Sequence, residues 1–207
     1  SVLKTSKTVR EASDAVLLNF ERPADQSAAV RKKRAEYGQA YYNTLTGKET
    51  TMFTNSPQVS YTKISPNRTP NRNHAIDTIT IHCVVGQCSV ETLGEVFAPK
   101  TRQASSNYGI GPDGRIGMYV EEKDRSWCSS SASNDNRAVT IEVASDTTHP
   151  YKVKDAAYKA LIELVADICK RNGIKELKWK ADKSLIGQID KQNMTVHRWF
   201  ANKSCPG

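Results

Sequence analysis

The sequence predicts an α/β domain with a mixed central β-sheet flanked by helices, preceded by an N-terminal appendage of two helices. Two segments, 76–82 and 138–144, alternate apolar and polar residues as strands do. A long helix is predicted over 154–171, where the apolar residues recur at helical spacing. These residues are Ala157, Ala160, Leu161, Leu164, Val165 and Ile168. A helix with this stripe is suited to cover the apolar face of the sheet.

The first 47 residues predict the two appended helices. The first has Val9, Ala12, Val16 and Phe20 at helical spacing and ends before Pro23. Asp25 or Ser27 can cap the second, which extends to about Tyr42. The basic run 31–34 on this helix predicts a solvated face. Two narrow apolar stripes cannot form a core alone, so residues 1–47 are treated as an appendage.

The rest of the chain divides into a connecting segment and a domain. Residues 48–75 are rich in Thr, Ser, Pro and Asn, which predicts a linker that passes into extended structure. Residues 76–207 form the predicted α/β domain. Within it, Ser89 caps a helix that ends at Pro99, and 107–120 is a hairpin that turns at 112–114. Asn172 and Gly173 end the long helix.

Composition limits the partners of the chain. It has 207 residues, a net charge of +8 and an isoelectric point near 9.2, which favours an anionic partner: nucleic acid, an acidic membrane or a wall polymer. No run approaches the ~20 apolar residues of a membrane span, and residues 1–10 lack the apolar core of a signal peptide. Because the five cysteines are odd in number, one must stay outside any intrachain disulfide. A Cys83–Cys88 pair is one open alternative.

Two histidines and a cysteine form the candidate metal site. His82 ends the first predicted strand, while His197 and Cys205 lie eight residues apart near the C-terminus. Two imidazoles and a thiolate suit a zinc ion that keeps a fourth position for water. By strand alternation, His82 and Glu142 lie on polar faces of their strands.

Several motifs in this order resemble the zinc-dependent N-acetylmuramoyl-L-alanine amidases, the type that includes phage lysis amidases and peptidoglycan recognition proteins. The resemblance covers about residues 56–207. The motifs are Ile79–Cys83, Ser105–Ile116, Ser126-Trp127, Ala138–Val143 and Val196–Arg198 with Cys205-Pro206-Gly207. It implies a mixed sheet with helices packed on it and a zinc site at the floor of a groove.

The resemblance also implies roles for individual residues. His82, His197 and Cys205 match the zinc ligands, with one zinc ion per chain. Glu142 matches the glutamate that acts on the zinc-bound water, and Lys203 matches the lysine that stabilises the oxyanion. The implied activity is hydrolysis of the amide bond between N-acetylmuramic acid and L-alanine in peptidoglycan.

Substrate contacts are predicted for Asn107, Tyr108 and Trp127. Some relatives carry a tyrosine seven residues before the aspartate of the Asp-Gly turn, where this chain has Ser106. Since residues two apart on a strand share a face, Tyr108 is a candidate substitute.

Two other classes of protein compete with the enzyme. Some relatives bind wall fragments without cutting them, and these typically lack the third ligand, whereas Cys205 is present here. A nucleic-acid-binding protein is supported only by the charge, and no recognised motif accompanies it.

The expected partners are therefore peptidoglycan and anionic wall polymers, without nucleic acid or membrane. The expected place of action is the bacterial cell wall. The N-terminal helices resemble the closing helices of phage-tail lysozyme-type domains. This resemblance implies a bacteriophage endolysin, with the chain as part of a longer protein and residues 76–207 as its zinc amidase catalytic domain. The alternative is that the helices are a small wall-binding or packing element of the amidase.

Overall fold

The computed structural model describes residues 6–21, 25–32, 34, 35, 38 and 54–206. The chain divides into two compact units, Ser1–Met52 and Phe53–Gly207. The separate roles given to 1–47, 48–75 and 76–207 stay a prediction, because a division into compact units does not test what each part does.

The first unit begins with a capped amphipathic helix. Helix α1 runs from Val9 to Val16 and continues as a π-helix over Leu17–Glu21. The Thr8 hydroxyl accepts a hydrogen bond from the Glu11 backbone N–H at 3.1 Å, which satisfies one free donor of the first turn. The predicted stripe residues Val9, Ala12 and Val16 are only partly buried, whereas the neighbouring Ala15 and Leu17 are buried.

The second predicted helix is present in the part that the structure describes. Residues 28–32 are helical, and the Ser27 hydroxyl caps them. Arg31, from the basic run, donates two hydrogen bonds to Asp14 of α1, at 2.6 and 3.1 Å. This ion pair joins the two helices of the unit. The predicted end near Tyr42 lies outside the described residues.

Two sheets lie in the described part of the second unit, and the larger has the strand order β1-β5-β4-β7-β3-β8. Its strands are β1 (Tyr61–Thr62), β3 (Thr78–Cys83), β4 (Tyr108–Ile110), β5 (Ile116–Met118), β7 (Ala138–Val143) and β8 (Met194–Val196). The smaller sheet pairs β2 (Arg68–Thr69) with β6 (Arg125–Ser126). All neighbours in the larger sheet are parallel except β4 and β5, which form the predicted hairpin.

Helices pack around this mixed sheet, which confirms the predicted fold class. They are α2 (Val90–Phe97), α3 (Ala132–Arg137) and α4 (Asp155–Arg171), with short 3-10 turns at Lys100–Arg102, Lys183–Leu185 and His197–Trp199. Ser89 caps α2 as predicted, and α4 ends at Asn172, followed by Gly173 with φ +69°. No helix in the described ranges has both the length and the apolar character needed to cross a membrane.

The main core lies between α4 and the sheet. All six stripe residues predicted from helical spacing are buried there. They pack with strand residues such as Ile79, Tyr108 and Ile141. The opposite face of β3 is covered as well, because Thr80 and His82 are both buried. The predicted polar face of β3 is therefore present, but it is buried under other parts of the domain and does not face solvent.

A buried carboxylate joins α4 to the sheet. Glu122 is fully buried and accepts hydrogen bonds from the Tyr108 hydroxyl at 2.6 Å and from the Arg171 guanidinium at 2.7 and 3.0 Å. The Asn172 amide donates a further bond at 3.2 Å. The Ser56 backbone N–H donates to the Tyr108 oxygen at 2.9 Å, so the network also holds the segment before β1.

Removing this carboxylate is expected to destabilise the fold. In Glu122→Ala, the Arg171 charge and the Tyr108 hydroxyl lose their buried partner, and the free energy of unfolding should fall by about 3–5 kcal/mol. Urea denaturation measures the loss. Glu163→Ala, an exposed position on α4, is the control and should change stability by less than about 0.5 kcal/mol. Equal stability of the two variants would contradict this assignment.

Candidate metal centre

The carboxyl ends of β3, β7 and β8 meet at one edge of the sheet. His82, next to last in β3, pairs in register with Glu142 of β7. Strand β8 pairs with β3 on its other side and leads directly into the 3-10 turn that begins at His197. Because these strands are parallel, three predicted site residues that are far apart in the sequence lie at the same edge.

Cys205 reaches the same edge from the C-terminal segment. The Arg198 backbone N–H donates to the Cys205 carbonyl at 3.2 Å, and the Cys83 backbone N–H donates to its sulfur at 3.2 Å. The sulfur lies 3.6 Å from Nδ1 of His82. Backbone groups of two elements therefore hold the Cys205 side chain beside the histidine.

The three side chains fit a zinc ion. One ligand atom from each of His82, His197 and Cys205 lies within 4.8 Å of the others, and the two imidazole centres are 4.9 Å apart. Nε2 of His82 is buried and has no hydrogen-bond partner, a costly state for a ring nitrogen. Two imidazoles and one thiolate form a donor set typical of zinc with an open fourth position.

Both histidines are biased toward the neutral form that binds metals. Burial, together with the nearby His197, lowers the pKa of His82 to about 3. Burial also lowers the pKa of His197, with help from the Lys203 charge, while Asp135 acts in the opposite direction. An imidazole that stays neutral keeps a nitrogen lone pair available to a cation.

Glu142 is held in a setting that favours proton binding. Its Oε2 is buried without a hydrogen-bond partner. Burial, followed by the influence of Cys83, raises the pKa of the Glu142 carboxyl to about 8. A carboxyl with this pKa and a free oxygen can both take up and release a proton near neutral pH.

Cys128 belongs to the same cluster, although the sequence does not point to it. Its sulfur lies 3.9 Å from Oε1 of Glu142, and His82, Cys128 and Glu142 form a second set of close donor atoms. Burial raises the pKa of the Cys128 thiol, so the thiol form is favoured. The signal in the sequence is only its place next to the Ser126-Trp127 motif. All five cysteines are free, so the Cys83–Cys88 pair is not formed.

An open pocket of about 530 Å³ leads to this cluster, and Glu142, His197 and Lys203 line it together with Trp127. The Lys203 side chain is exposed and its charge influences His197, which places the ammonium group near the candidate ligands. The Trp127 indole donates to the Thr69 hydroxyl at 2.9 Å, so its ring orientation is fixed. Four of the eight predicted site residues therefore line the pocket, and His82 and Cys205 lie in the cluster beside them, so the structure brings six of the eight together.

Tyr108 and Asn107 are placed elsewhere. Tyr108 is fully buried in the main core and donates to Glu122, so its hydroxyl does not face the pocket. Strand alternation predicts that Tyr108 shares a strand face with Ser106. This expectation fails because β4 begins only at Tyr108, so Ser106 lies outside the strand. Asn107 is also fully buried, and its side-chain oxygen accepts from the Thr140 backbone N–H at 3.1 Å. Both residues support the sheet instead of lining the pocket.

A row of threonines lies one step behind the candidate ligands. Thr80 pairs in register with both Thr140 and Thr195, and the Thr80 and Thr195 hydroxyls are 2.7 Å apart. The Asn134 amide donates to Thr80 at 3.0 Å and its oxygen accepts from Thr195 at 2.9 Å. Because Thr80 and Thr195 each precede a histidine by two residues, this buried network fixes the strands that carry His82 and His197.

The solved structures to which this chain is similar include a peptidoglycan recognition protein and an endolysin amidase. The Drosophila peptidoglycan recognition protein SA matches with a TM-score of 0.50 and 16% identity, over 70% of this chain and 85% of that chain. The endolysin N-acetylmuramoyl-L-alanine amidase LysCS from Clostridium intestinale has a TM-score of 0.48 and 16% identity, over 73% and 90% of the two chains.

The family follows from the sequence itself. The family described as Amidase_2, N-acetylmuramoyl-L-alanine amidase, matches residues 72–207, and the chain belongs to it. A comparison with curated proteins gives no significant match. The matched range contains all the residues of the candidate metal centre.

Proposed function

We propose that the chain is a peptidoglycan hydrolase that uses one zinc ion to cleave the amide bond between N-acetylmuramic acid and L-alanine. Membership of the amidase family supports the choice of bond. The observation that carries the proposal is the cluster of His82, His197 and Cys205 beside Glu142, whose Oε2 is buried, at an open pocket that His197 and Glu142 line. A site that only bound wall fragments would have no need of a carboxylate with one buried oxygen that lacks a hydrogen-bond partner.

The reaction needs an activated water molecule and a place for its proton. Zinc held by His82, His197 and Cys205 supplies Lewis-acid chemistry that acidifies water and polarises a carbonyl. Glu142 takes the proton as the water oxygen bonds to the lactyl carbonyl carbon. It then returns the proton to the nitrogen of L-alanine as the carbon–nitrogen bond breaks. Oε2 of Glu142, which has no hydrogen-bond partner, is free to make both transfers.

Lys203 is assigned to the charge that develops on the carbonyl oxygen. Its ammonium group is exposed at the pocket and close enough to influence His197. A positive charge aimed at the oxygen stabilises the transition state more than the substrate, since charge forms there only during attack. Trp127, fixed at the pocket wall, is assigned to substrate contact.

A non-catalytic binding module remains the second candidate, supported by the likeness of the fold to a recognition protein. The presence of Cys205 as a third donor and of Glu142 beside it favours the enzyme. Incubation with purified walls separates the two. The enzyme releases new L-alanine amino termini, and this release stops after chelation and returns with zinc. Binding to walls without release of amino termini would support the module.

The proposed partners are peptidoglycan and anionic wall polymers, to which a net charge of +8 is suited. The proposed place of action is the bacterial cell wall, and the proposed source is a bacteriophage endolysin. The N-terminal unit is assigned either to the end of an upstream lysozyme-type domain or to a wall-binding element. In both cases its helices lie outside the chemistry.

A shortened chain that begins at Thr50 is therefore expected to cleave a soluble muropeptide with kcat/KM within about threefold of the full chain. All proposed ligands and catalytic residues lie in the unit Phe53–Gly207, which has its own core. Zinc content and circular dichroism serve as controls for folding. A shortened chain that folds and holds zinc but cannot cleave would mean that residues 1–49 shape the active site.

A further inference from the structure

Two tryptophans from the C-terminal part of the chain form a stacked pair at the protein surface. The Trp179 and Trp199 rings are 5.1 Å apart and 11° from parallel. Trp179 is nevertheless 47% exposed, so much of its indole surface faces solvent. Burying an apolar surface of this size would stabilise the fold, so a large aromatic ring that stays exposed indicates a surface available to a ligand.

Buried amide side chains fix the backbone on both sides of Trp179. The Asn193 side chain accepts from the Lys178 N–H at 2.7 Å, and the Gln192 side chain accepts from the Lys180 N–H at 3.1 Å. Both amides are almost fully buried. Ala181 adopts a left-handed conformation with φ +57°, which costs free energy for a residue with a side chain. The indole is therefore held in place before any ligand arrives, which lowers the entropy lost on binding.

The surroundings of Trp179 are polar but electrically balanced. A depression of about 640 Å³ beside the ring is lined by as many lysines as carboxylates: Lys178, Lys180 and Lys191 against Glu176, Asp182 and Asp190. The Lys178 ammonium donates to the Asp190 carbonyl at 3.0 Å. This balance does not favour a polyanion. A flat apolar surface with hydrogen-bonding groups at its edge suits a sugar ring, which has apolar C–H faces and hydroxyls around its rim.

One short element links the pair to the candidate active site. Trp199 belongs to the same 3-10 turn as His197, while Trp179 and its depression share no lining residue with the catalytic pocket. Trp179 thus stacks on an element that carries a candidate ligand, and a polymer that extends beyond the catalytic pocket can use a contact of this kind. We propose that Trp179 is the stacking platform of a second subsite, which binds a sugar ring of the glycan strand outside the catalytic pocket. This inference rests on the proposed action on peptidoglycan, and it adds to the catalytic pocket a second binding site for the glycan strand.

The test compares Trp179→Ala with Tyr158→Ala in the full zinc-loaded chain. Tyr158 is 58% exposed on α4 and does not line the depression, so it is a matched exposed aromatic residue. Peptide-free glycan strands are titrated in 0.5 M salt, where contacts between exposed charges are screened. Trp179→Ala should bind about tenfold more weakly than the wild type, whereas Tyr158→Ala should bind equally well. Trp179→Phe, which keeps a ring, should lose less and serves if the alanine variant does not fold.

A kinetic comparison distinguishes this subsite from a structural role. The kcat/KM for whole walls should fall far more in Trp179→Ala than the kcat/KM for a muropeptide with a single sugar. Equal losses on both substrates, or unchanged glycan binding, would overturn the subsite. So would a variant that loses binding only to an anionic wall polymer at low salt. Trp179-dependent glycan binding by a chain that cleaves no substrate would support the subsite and contradict the proposed function.

Discussion

Replacing Cys205 by alanine is expected to remove zinc from the chain and to abolish hydrolysis. The variant deletes one of three proposed ligands and leaves the His82 and His197 nitrogens within reach of one another without a thiolate. Loss of supporting groups alone lowers metal affinity by about 10–100-fold, so loss of a ligand should cost at least about 100-fold. His197→Ala should behave in the same way, because it removes an imidazole from the same set.

Elemental analysis of protein purified without added metal measures this effect. The wild type should contain one zinc ion per chain and the two variants almost none. Cys169→Ala, on α4 and outside both donor sets, is the control for a general effect of removing a thiol and should keep its zinc. Full zinc content in Cys205→Ala and His197→Ala would show that the metal is held elsewhere.

Changing Glu142 to glutamine is expected to separate catalysis from metal binding. Glutamine keeps the size of the side chain and cannot take a proton, so kcat should fall by about 10²–10⁴-fold. Zinc content and melting temperature should stay close to those of the wild type, because the proposed ligands are untouched. Glu142→Ala should lose a similar amount of turnover.

Steady-state kinetics on a soluble muropeptide tests this prediction. Glu163→Gln, an exposed carboxylate on α4, is the matched control and should keep wild-type kcat. A Glu142→Gln variant with nearly wild-type turnover would mean that another group accepts the proton. Cys128, whose sulfur lies 3.9 Å from Glu142, would then be the next candidate to replace.

The sequence predicted those parts of the molecule that repeat a local pattern. The stripe of α4 follows helical spacing, and all its predicted residues are buried in the core. Strand alternation also places His82 and Glu142 on matching faces, and the observed register pairs them directly. In both cases, spacing within a single element determines the outcome, so no knowledge of distant contacts is needed.

Features made by distant segments could not be predicted in this way. The Tyr108 hydroxyl can be buried in the core because Glu122, from another segment, accepts its hydrogen bond. The Glu122 carboxylate is in turn paired with Arg171 of α4. Cys128 comes close to Glu142 only after the loop before α3 packs over the sheet. Asn134 of α3 bridges the Thr80 and Thr195 hydroxyls of β3 and β8 only once the helix has packed against these strands. Each case depends on tertiary packing, which residue spacing does not encode.

Mass spectrometry of peptidoglycan digested in water enriched in heavy oxygen tests the central claim most directly. Hydrolysis of the proposed bond predicts stem peptides that begin with a free L-alanine amine and glycan strands with one heavy oxygen in each lactyl carboxylate. Intact lactyl–alanine bonds, with cuts only between sugars or within the peptide, would contradict the proposed function.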